Sequence, residues 1–278
     1  MGPSEALPVV ASVDDALGAM FDAAGGFDRF MRDTCVIVTS DHGHCEILQD
    51  RGTAAIELNQ ALDEFRQADI SRPWRDDDEI MICPNMRAAQ IYVQRPSDES
   101  LDRVALAALR DPRVDLAIWK ANHSHRYHVL GPGGRLTFWH GTGAAGEAQD
   151  AWGTRWAWRG DLDVLRLQQD GGFLESAEYP NAFERLTGVL DLEEGGQIWV
   201  NARPGCEFEV PGGKVHCGGG SHGGLHALES FSPVIVANAP VALPKQMRSI
   251  DIAAICLKAL QIEPRYALGE ARTAVHAH

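Results

Sequence analysis

A carboxylate and an imidazole stand side by side at Asp41 and His42, followed by Gly43. Both are ordinary ligands of Zn²⁺, and a glycine lets the chain turn sharply enough for neighbouring side chains to converge on one divalent cation. On these letters alone a plainer reading is the better one: Asp41 caps the next segment and His42 is a polar residue at a strand end. A third candidate, His222, stands in Cys217-Gly-Gly-Gly-Ser-His-Gly-Gly-Leu-His226. Repeated glycines can cradle a phosphate with backbone N–H groups. This stretch lacks the Gly-Lys-Ser/Thr of a P-loop, so its glycines are read as room for His222 to approach a metal.

Each candidate needs an element to hold it. Cys35 to Val38 is an unbroken apolar run rich in β-branched residues, the pattern of a strand covered on both faces in the middle of a parallel sheet. Asp41 and His42 then fall at its carboxyl end, where open α/β sheets bind ligands. Before it, Val13, Leu17, Met20, Phe21 and Ala24 recur at helical spacing, with Ser12 as N-cap and Gly25-Gly26 as the stop. Beyond His222, Val234 to Ala237 reads as a second buried strand and Ile250 to Leu260 as a closing helix.

Taken together and in this order, three features resemble the alkaline phosphatase superfamily, most closely its type I phosphodiesterase/nucleotide pyrophosphatase branch. They are the strand ending Thr-Ser-Asp-His-Gly at 39–43, the Gly-Ser-His-Gly at 220–223 leading into a Pro-headed apolar strand, and the helix beginning Ser249-Ile-Asp251. The resemblance covers roughly 10–48 and 195–262, and the middle matches only loosely. It implies an α/β fold, a three-layer α/β/α sandwich with a mostly parallel central sheet and a small α+β insertion. It implies two divalent metal ions, zinc first and manganese second, with Asp41 and His42 holding one and His222 the other. The implied activity is hydrolysis of phosphoric esters. The family's Thr or Ser nucleophile, its first metal-binding Asp and its Asp-x-x-x-His pair have no counterpart here. The expectation is therefore the C-terminal portion of a catalytic unit, inactive by itself. Two other readings stay open: a sulfatase or metal-dependent phosphomutase of the same superfamily, and a non-catalytic module that keeps the fold.

The domain expectation follows from the same pattern, with a core made of 1–83 and 171–278 and an inserted lobe at 84–170. Glu79 to Cys83, just ahead of the lobe, and Gln90 to Gln94 and Val114 to Trp119 within it read as strands, and Ser97 caps a helix with the face Leu101, Val104, Ala105, Ala108 and Leu109. Arg126–Leu130 and Arg135–Trp139 form a hairpin across Gly131-Pro-Gly-Gly134. His123, His125, His128 and His140 cluster around it, but His128 faces away from the first two on an extended strand, so no extra metal site is expected. Trp152, Trp156 and Trp158 are read as a satellite core before a platform for a substrate base. Pro180 opens a helix with Phe183, Leu186, Val189 and Leu190 behind it.

The 278 residues carry 45% hydrophobic and 23% charged side chains and a formal net charge of −14. Such an acidic chain does not suit a nucleic-acid polymer, whose phosphates need Lys and Arg, but bound cations would let a small phosphate ester in. No apolar run reaches the ~20 residues of a membrane span. Met-Gly-Pro-Ser-Glu has neither a basic nor an apolar leader region, so a cytoplasmic location is the default expectation. Six cysteines without ribbon or thioredoxin spacing are expected to be free thiols, Cys35 and Cys256 as small core residues. His276 and His278 are read as frayed and solvent-exposed, and the oligomeric state is not legible.

Overall fold

Alternation along Val114–Lys120 sends Ala117 and Trp119 into one hydrophobic core, under the helix Asp98–Ala108, and Leu116 and Ile118 into another, under the helix Ala182–Leu190. This strand, not 35–38, is the one covered on both faces. The computed structural model describes residues 2, 5–143, 146–209, 213–240, 242–243 and 246–263. They fall into a larger unit of Met1–Pro3, His44–Asp150 and Thr154–Ser230 and a smaller unit of Ser4–Gly43, Ala151–Gly153 and Phe231–His278.

The strands are β1 Val36–Thr39, β2 Cys45–Glu46, β3 Ala55–Ile56, β4 Gln67–Ala68, β5 Ile80–Asn85, β6 Ala88–Val93, β7 Val114–Lys120, β8 Tyr127–Gly131 and β9 Gly134–His140. They continue with β10 Gly146–Gln149, β11 Arg155–Gly160, β12 Gln168–Asp170, β13 Phe173–Glu175, β14 Ile198–Ala202, β15 Glu207–Phe208, β16 Gly220–Ser221 and β17 Val234–Ala237. The helices are α1 Leu7–Ala23, α2 Phe27–Phe30, α3 Arg51–Ala54, α4 Leu58–Ala61, α5 Asp98–Ala108, α6 Ala182–Leu190, α7 Ala227–Ser230 and α8 Ser249–Ala259.

The larger unit is built on one eleven-stranded sheet in the order β12-β13-β10-β11-β9-β8-β7-β14-β6-β5-β4. Only β4–β5 and β10–β13 are parallel pairs in it. The expected α/β/α sandwich with a mostly parallel central sheet is therefore wrong. An apolar run reports burial on two faces, whereas strand direction is decided by the connection. β5 and β6 are joined by Met86-Arg87 alone and β8 and β9 by Pro132-Gly133 alone. Parallel neighbours need a crossover of about a dozen residues or more, so these pairs have to run antiparallel. The strands between 84 and 170, expected as a lobe beside the sheet, make up most of it.

Local expectations fare better where the cap or turn chemistry is explicit. Ser97 caps α5 reciprocally, accepting from Ser100 N at 3.1 Å while Ser97 N donates to Ser100 Oγ at 2.9 Å. Leu101, Val104, Ala105 and Ala108 are buried on its inner face. The hairpin at 127–140 and the helix after Pro180 also form. Trp156 and Trp158 are buried in the second core, as a satellite core requires.

In the smaller unit β1 pairs antiparallel with β17, and none of their residues is fully buried. The strands expected at 35–38 and 234–237 thus exist, but as a two-stranded ribbon. The Asp of Ser249-Ile-Asp251 acts locally. Its carboxylate accepts from Arg248 N at 2.9 Å and pairs with the Arg248 guanidinium, closing the first turn of α8. α1 begins at Leu7 and not at Val13, because Pro8 suits a first turn; Ser12 lies inside it, its hydroxyl donating to Val9 O at 2.7 Å. Cys35 and Cys256 are half-buried, while Cys45 and Cys206 are the fully buried thiols. His276 and His278 lie outside the described residues. No helix among the described residues is long and apolar enough to cross a membrane.

One surface loop sets a pH dependence. Arg72 donates to both carboxylate oxygens of Asp78 at 2.7 and 2.9 Å, and Arg75 N donates at 2.6 Å. The Arg72 hydrogen bonds first, then the Arg75 amide, hold the Asp78 carboxyl down at about 2. A lowered carboxyl adds stability that is complete above its unfolded value and is lost as pH falls toward the folded one. Denaturation curves between about pH 4 and pH 2 are expected to be steeper in pH for the native chain than for Asp78→Asn; equal slopes would refute the assignment.

Candidate metal centre

β1 delivers the chain to a tight turn at 40–43, and the turn is held by its own side chains. Asp41 Oδ1 accepts from His42 N at 3.0 Å, and Ser40 Oγ donates to His42 O at 3.1 Å. His42 Nδ1 lies 2.8 Å from Gly43 O. A carbonyl only accepts, so Nδ1 carries the hydrogen and the neutral ring keeps its lone pair on Nε2. That nitrogen is 3.4 Å from Asp41 Oδ2. Two acceptors facing each other at this distance suit a proton or a cation shared between them. Zn–N and Zn–O bonds of about 2.05–2.1 Å to atoms so placed subtend about 110°, close to the tetrahedral angle zinc prefers. The carboxylate is 84% exposed and the imidazole 31%, so the pair is open to solvent. The donor set fits one divalent cation.

His222 belongs to the larger unit, and its backbone is fastened on both sides. Upstream, β16 pairs antiparallel with β2, with Ser221 opposite Cys45 and Gly220 opposite Glu46. Ile47 N donates to Gly219 O at 2.9 Å and Gly218 N to Ile47 O at 3.1 Å, extending the ladder. Downstream, Arg87 N donates to His222 O at 3.1 Å. Gly223 turns the chain at φ +101°, a conformation other residues adopt at a cost. Gly224 N then donates to Glu229 Oε2 at 2.9 Å, and Leu225 N to Asn201 Oδ1 at 2.7 Å.

Behind this loop lies a buried polar network. Arg87 and Glu229 pair at 2.8 Å with side chains 0% and 1% exposed. The guanidinium also donates to the carbonyls of Ala202, Arg203 and Cys206. Arg185 donates to Leu225 O at 2.9 Å, and burial pulls its guanidinium down to about 10. Asn201 donates to Asp115 at 3.4 Å, and Tyr179 OH donates to the same oxygen at 2.5 Å. Burial, opposed by the Tyr179 hydrogen bond, pushes the Asp115 carboxyl up.

The glycines of 217–224 read in the sequence as space around a metal, but at Gly224 the space is already filled. A Cβ there would meet Glu229 Oε1 at 2.5 Å and Asn201 Oδ1 at 2.7 Å. Gly224→Ala is therefore expected to destabilise the larger unit by about 1–3 kcal/mol, by overpacking and by breaking buried hydrogen bonds. A melting curve checks this, and an unchanged melting temperature would show that the network yields freely.

The sequence reading missed His44. It precedes Cys45 as His222 follows Ser221, the last pair of the β2–β16 ladder, and the two ring centroids are 5.4 Å apart with planes tilted by 37°. A ring nitrogen of each lies within 4.8 Å of the other. The available signal was the spacing His42-Gly-His44, which puts a second imidazole just past the turn.

Within the smaller unit Asp41 lies beside His42, and within the larger His44 lies beside His222. Of the histidines around the hairpin, His123 and His125 are exposed, and His128 and His140 pack. His128 sits 5.2 Å from the Trp119 ring and bonds Thr137 Oγ1 at 2.9 Å, and the His140 ring is 4.0 Å from Trp156. Burial pulls both imidazoles down. No protein-family model, curated protein or solved structure matches the chain.

Proposed function

We propose that this chain supplies metal ligands for the hydrolysis of phosphoric esters, in the manner of a two-metal phosphodiesterase, as part of a catalytic unit. One observation carries the reading. The β2–β16 ladder joins the residues just after Asp-His-Gly to those just before His222, although most of the larger unit's sequence lies between them. His44, which follows the first motif, is thereby set beside His222 within the larger unit.

In this reading Asp41 and His42 hold one cation and His222 the other, with zinc or manganese as the metals. When bound, the cations supply positive charge that offsets the phosphoryl oxygens and acidifies the attacking hydroxyl. The chain's own residues orient the ligands. The Gly43 carbonyl fixes the His42 tautomer so that Nε2 faces Asp41. The Arg87–Glu229 pair holds the His222 backbone through Arg87 N and Gly224 N. The cations also reconcile an acidic chain of net charge −14 with an anionic substrate, and favour a small ester over a polymer.

No residue here matches the family's nucleophile, so anion binding tests the reading better than turnover does. Orthovanadate and inorganic phosphate are expected to bind the zinc-loaded chain, to bind the metal-free chain far more weakly, and to lose affinity in Asp41→Ala and His222→Ala. Turnover of bis-p-nitrophenyl phosphate should be slight, because catalytic groups act as a unit. Phosphate binding indifferent to metal and to both substitutions would overturn the proposal. Robust turnover lost in both variants would uphold the metal ligands, overturn the reading of the chain as part of a larger catalytic unit, and place a nucleophile within these 278 residues.

A further inference from the structure

We infer that His44, which lies outside both motifs, is itself a metal ligand: with His222 it forms a cross-strand bis-imidazole clamp for a divalent transition metal in the larger unit. The inference rests on the assignment of His222 as a ligand above and extends it to a residue that the resemblance does not supply.

The register carries the argument. Gly220 faces Glu46 and Ser221 faces Cys45, and His222 and His44 both leave the ladder at that end. Their ring centroids are 5.4 Å apart, which lets two imidazoles reach one ion. Two Zn–N bonds of about 2.05 Å at a tetrahedral angle bring the nitrogens to about 3.3 Å from each other. The nitrogens now lie within 4.8 Å. His44 is exposed, so solvent accommodates its ring as it turns through the remaining distance.

The backbone beneath the pair is already fixed. On one side are the β2–β16 ladder and the Ile47–Gly219 and Gly218–Ile47 bonds. On the other are the Arg87–His222 bond and the Gly224–Glu229 bond, anchored by the buried ion pair. A metal would therefore order one exposed side chain, not a loop. Two imidazoles favour zinc, cobalt, nickel or copper over magnesium or calcium, which prefer oxygen. The bound ion would also cross-link β2 to β16.

The test titrates Zn²⁺ into the full chain while following the side-chain nitrogens of His44 and His222 by ¹⁵N NMR, with affinity from calorimetry. Both imidazoles are expected to shift together in the native chain and in Asp41→Ala. Losing a support that merely orients a metal ligand costs roughly 10–100-fold in affinity, so losing a ligand in His44→Ala should cost at least roughly tenfold. Because Cys also binds zinc, His44→Cys should recover most of that loss, which a merely structural role for His44 would not produce. The backbone amide spectrum checks that each variant is folded. If His222 shifts while His44 does not, and His44→Ala binds as tightly as the native chain, the clamp is wrong and the hydrolase reading stands. If neither imidazole shifts, the clamp and the ligand role of His222 fall together. If both shift but metal-loaded protein binds no phosphate, the clamp stands and the hydrolase reading fails.

Discussion

Replacing Arg87 with methionine is expected to cost the larger unit about 3–5 kcal/mol, the cost of leaving a buried charge without its partner. Arg87 and Glu229 are 0% and 1% exposed, so water cannot take the place of the lost guanidinium. The loss is wider than one ion pair, because the same side chain donates to the carbonyls of Ala202, Arg203 and Cys206. Some buried ion pairs can be exchanged for apolar residues at little net cost, since desolvation offsets their attraction. That exchange is not expected to work here. In Arg87→Met/Glu229→Leu the Cys206 carbonyl and the Gly224 N–H would lose their partners, each at about 1–3 kcal/mol, while Arg203 O keeps Cys206 N and Ala202 O keeps Asn201 Nδ2. The double variant should therefore be no more stable than Arg87→Met. Urea denaturation followed by circular dichroism decides it, and a double variant within about 1 kcal/mol of the native chain would show that Arg87 matters only through its charge.

Trp156→Ala is expected to have a similar effect by a different route. The indole is 0% exposed and sits within a stack of rings, 4.0 Å from His140, 5.4 Å from Phe183 and 5.9 Å from Phe138 between centroids. Phe138 and Phe183 in turn stack at 4.0 Å, joining the sheet to α6. Truncating a fully buried tryptophan leaves a cavity that such rigid neighbours cannot close, and costs about 3–5 kcal/mol. Trp156 Nε1 also donates to Asp150 Oδ2 at 2.8 Å, in a side chain 6% exposed. Trp156→Phe keeps a ring in the stack and loses that hydrogen bond, so it should cost less, about 1–3 kcal/mol. A melting-temperature series of native, Phe and Ala variants tests the order. A small effect for Ala would return Trp156 to the role of an exposed platform, which its burial argues against.

What could be read from the residues alone was what short-range physics sets. The α5 cap rests on Ser97 and Ser100, three positions apart. The turn between β8 and β9 rests on Pro132-Gly133, and the first turn of α8 on Arg248 with Asp251. The closeness of Asp41 and His42 was legible for the same reason, since adjacent residues before a glycine meet within one turn. Coverage on both faces was assigned to the wrong strand. The apolar run at 35–38 became a half-buried strand of a two-stranded ribbon, and Val114–Lys120, with an Asp inside it, lies between the two cores. Periodicity measures how much of a segment avoids water; it carries no information on which neighbour covers it or in which direction that neighbour runs. The connections decide direction, and two-residue links at Met86-Arg87 and Pro132-Gly133 impose antiparallel pairing whatever the apolar pattern resembles.

Long-range register was left to the tertiary structure altogether. His44 meets His222 because β2 and β16 pair in one frame, and a shift of one residue would turn one imidazole to the opposite face. Arg87 meets Glu229 across 142 residues for a similar reason: a carboxylate behind the Gly224 loop is matched by a guanidinium in the tight β5–β6 link. Sequence determined which groups this protein owns and how each behaves within a few residues of itself. Which of them face one another was decided by folding, because pairing between distant segments depends on the shape of everything packed between them.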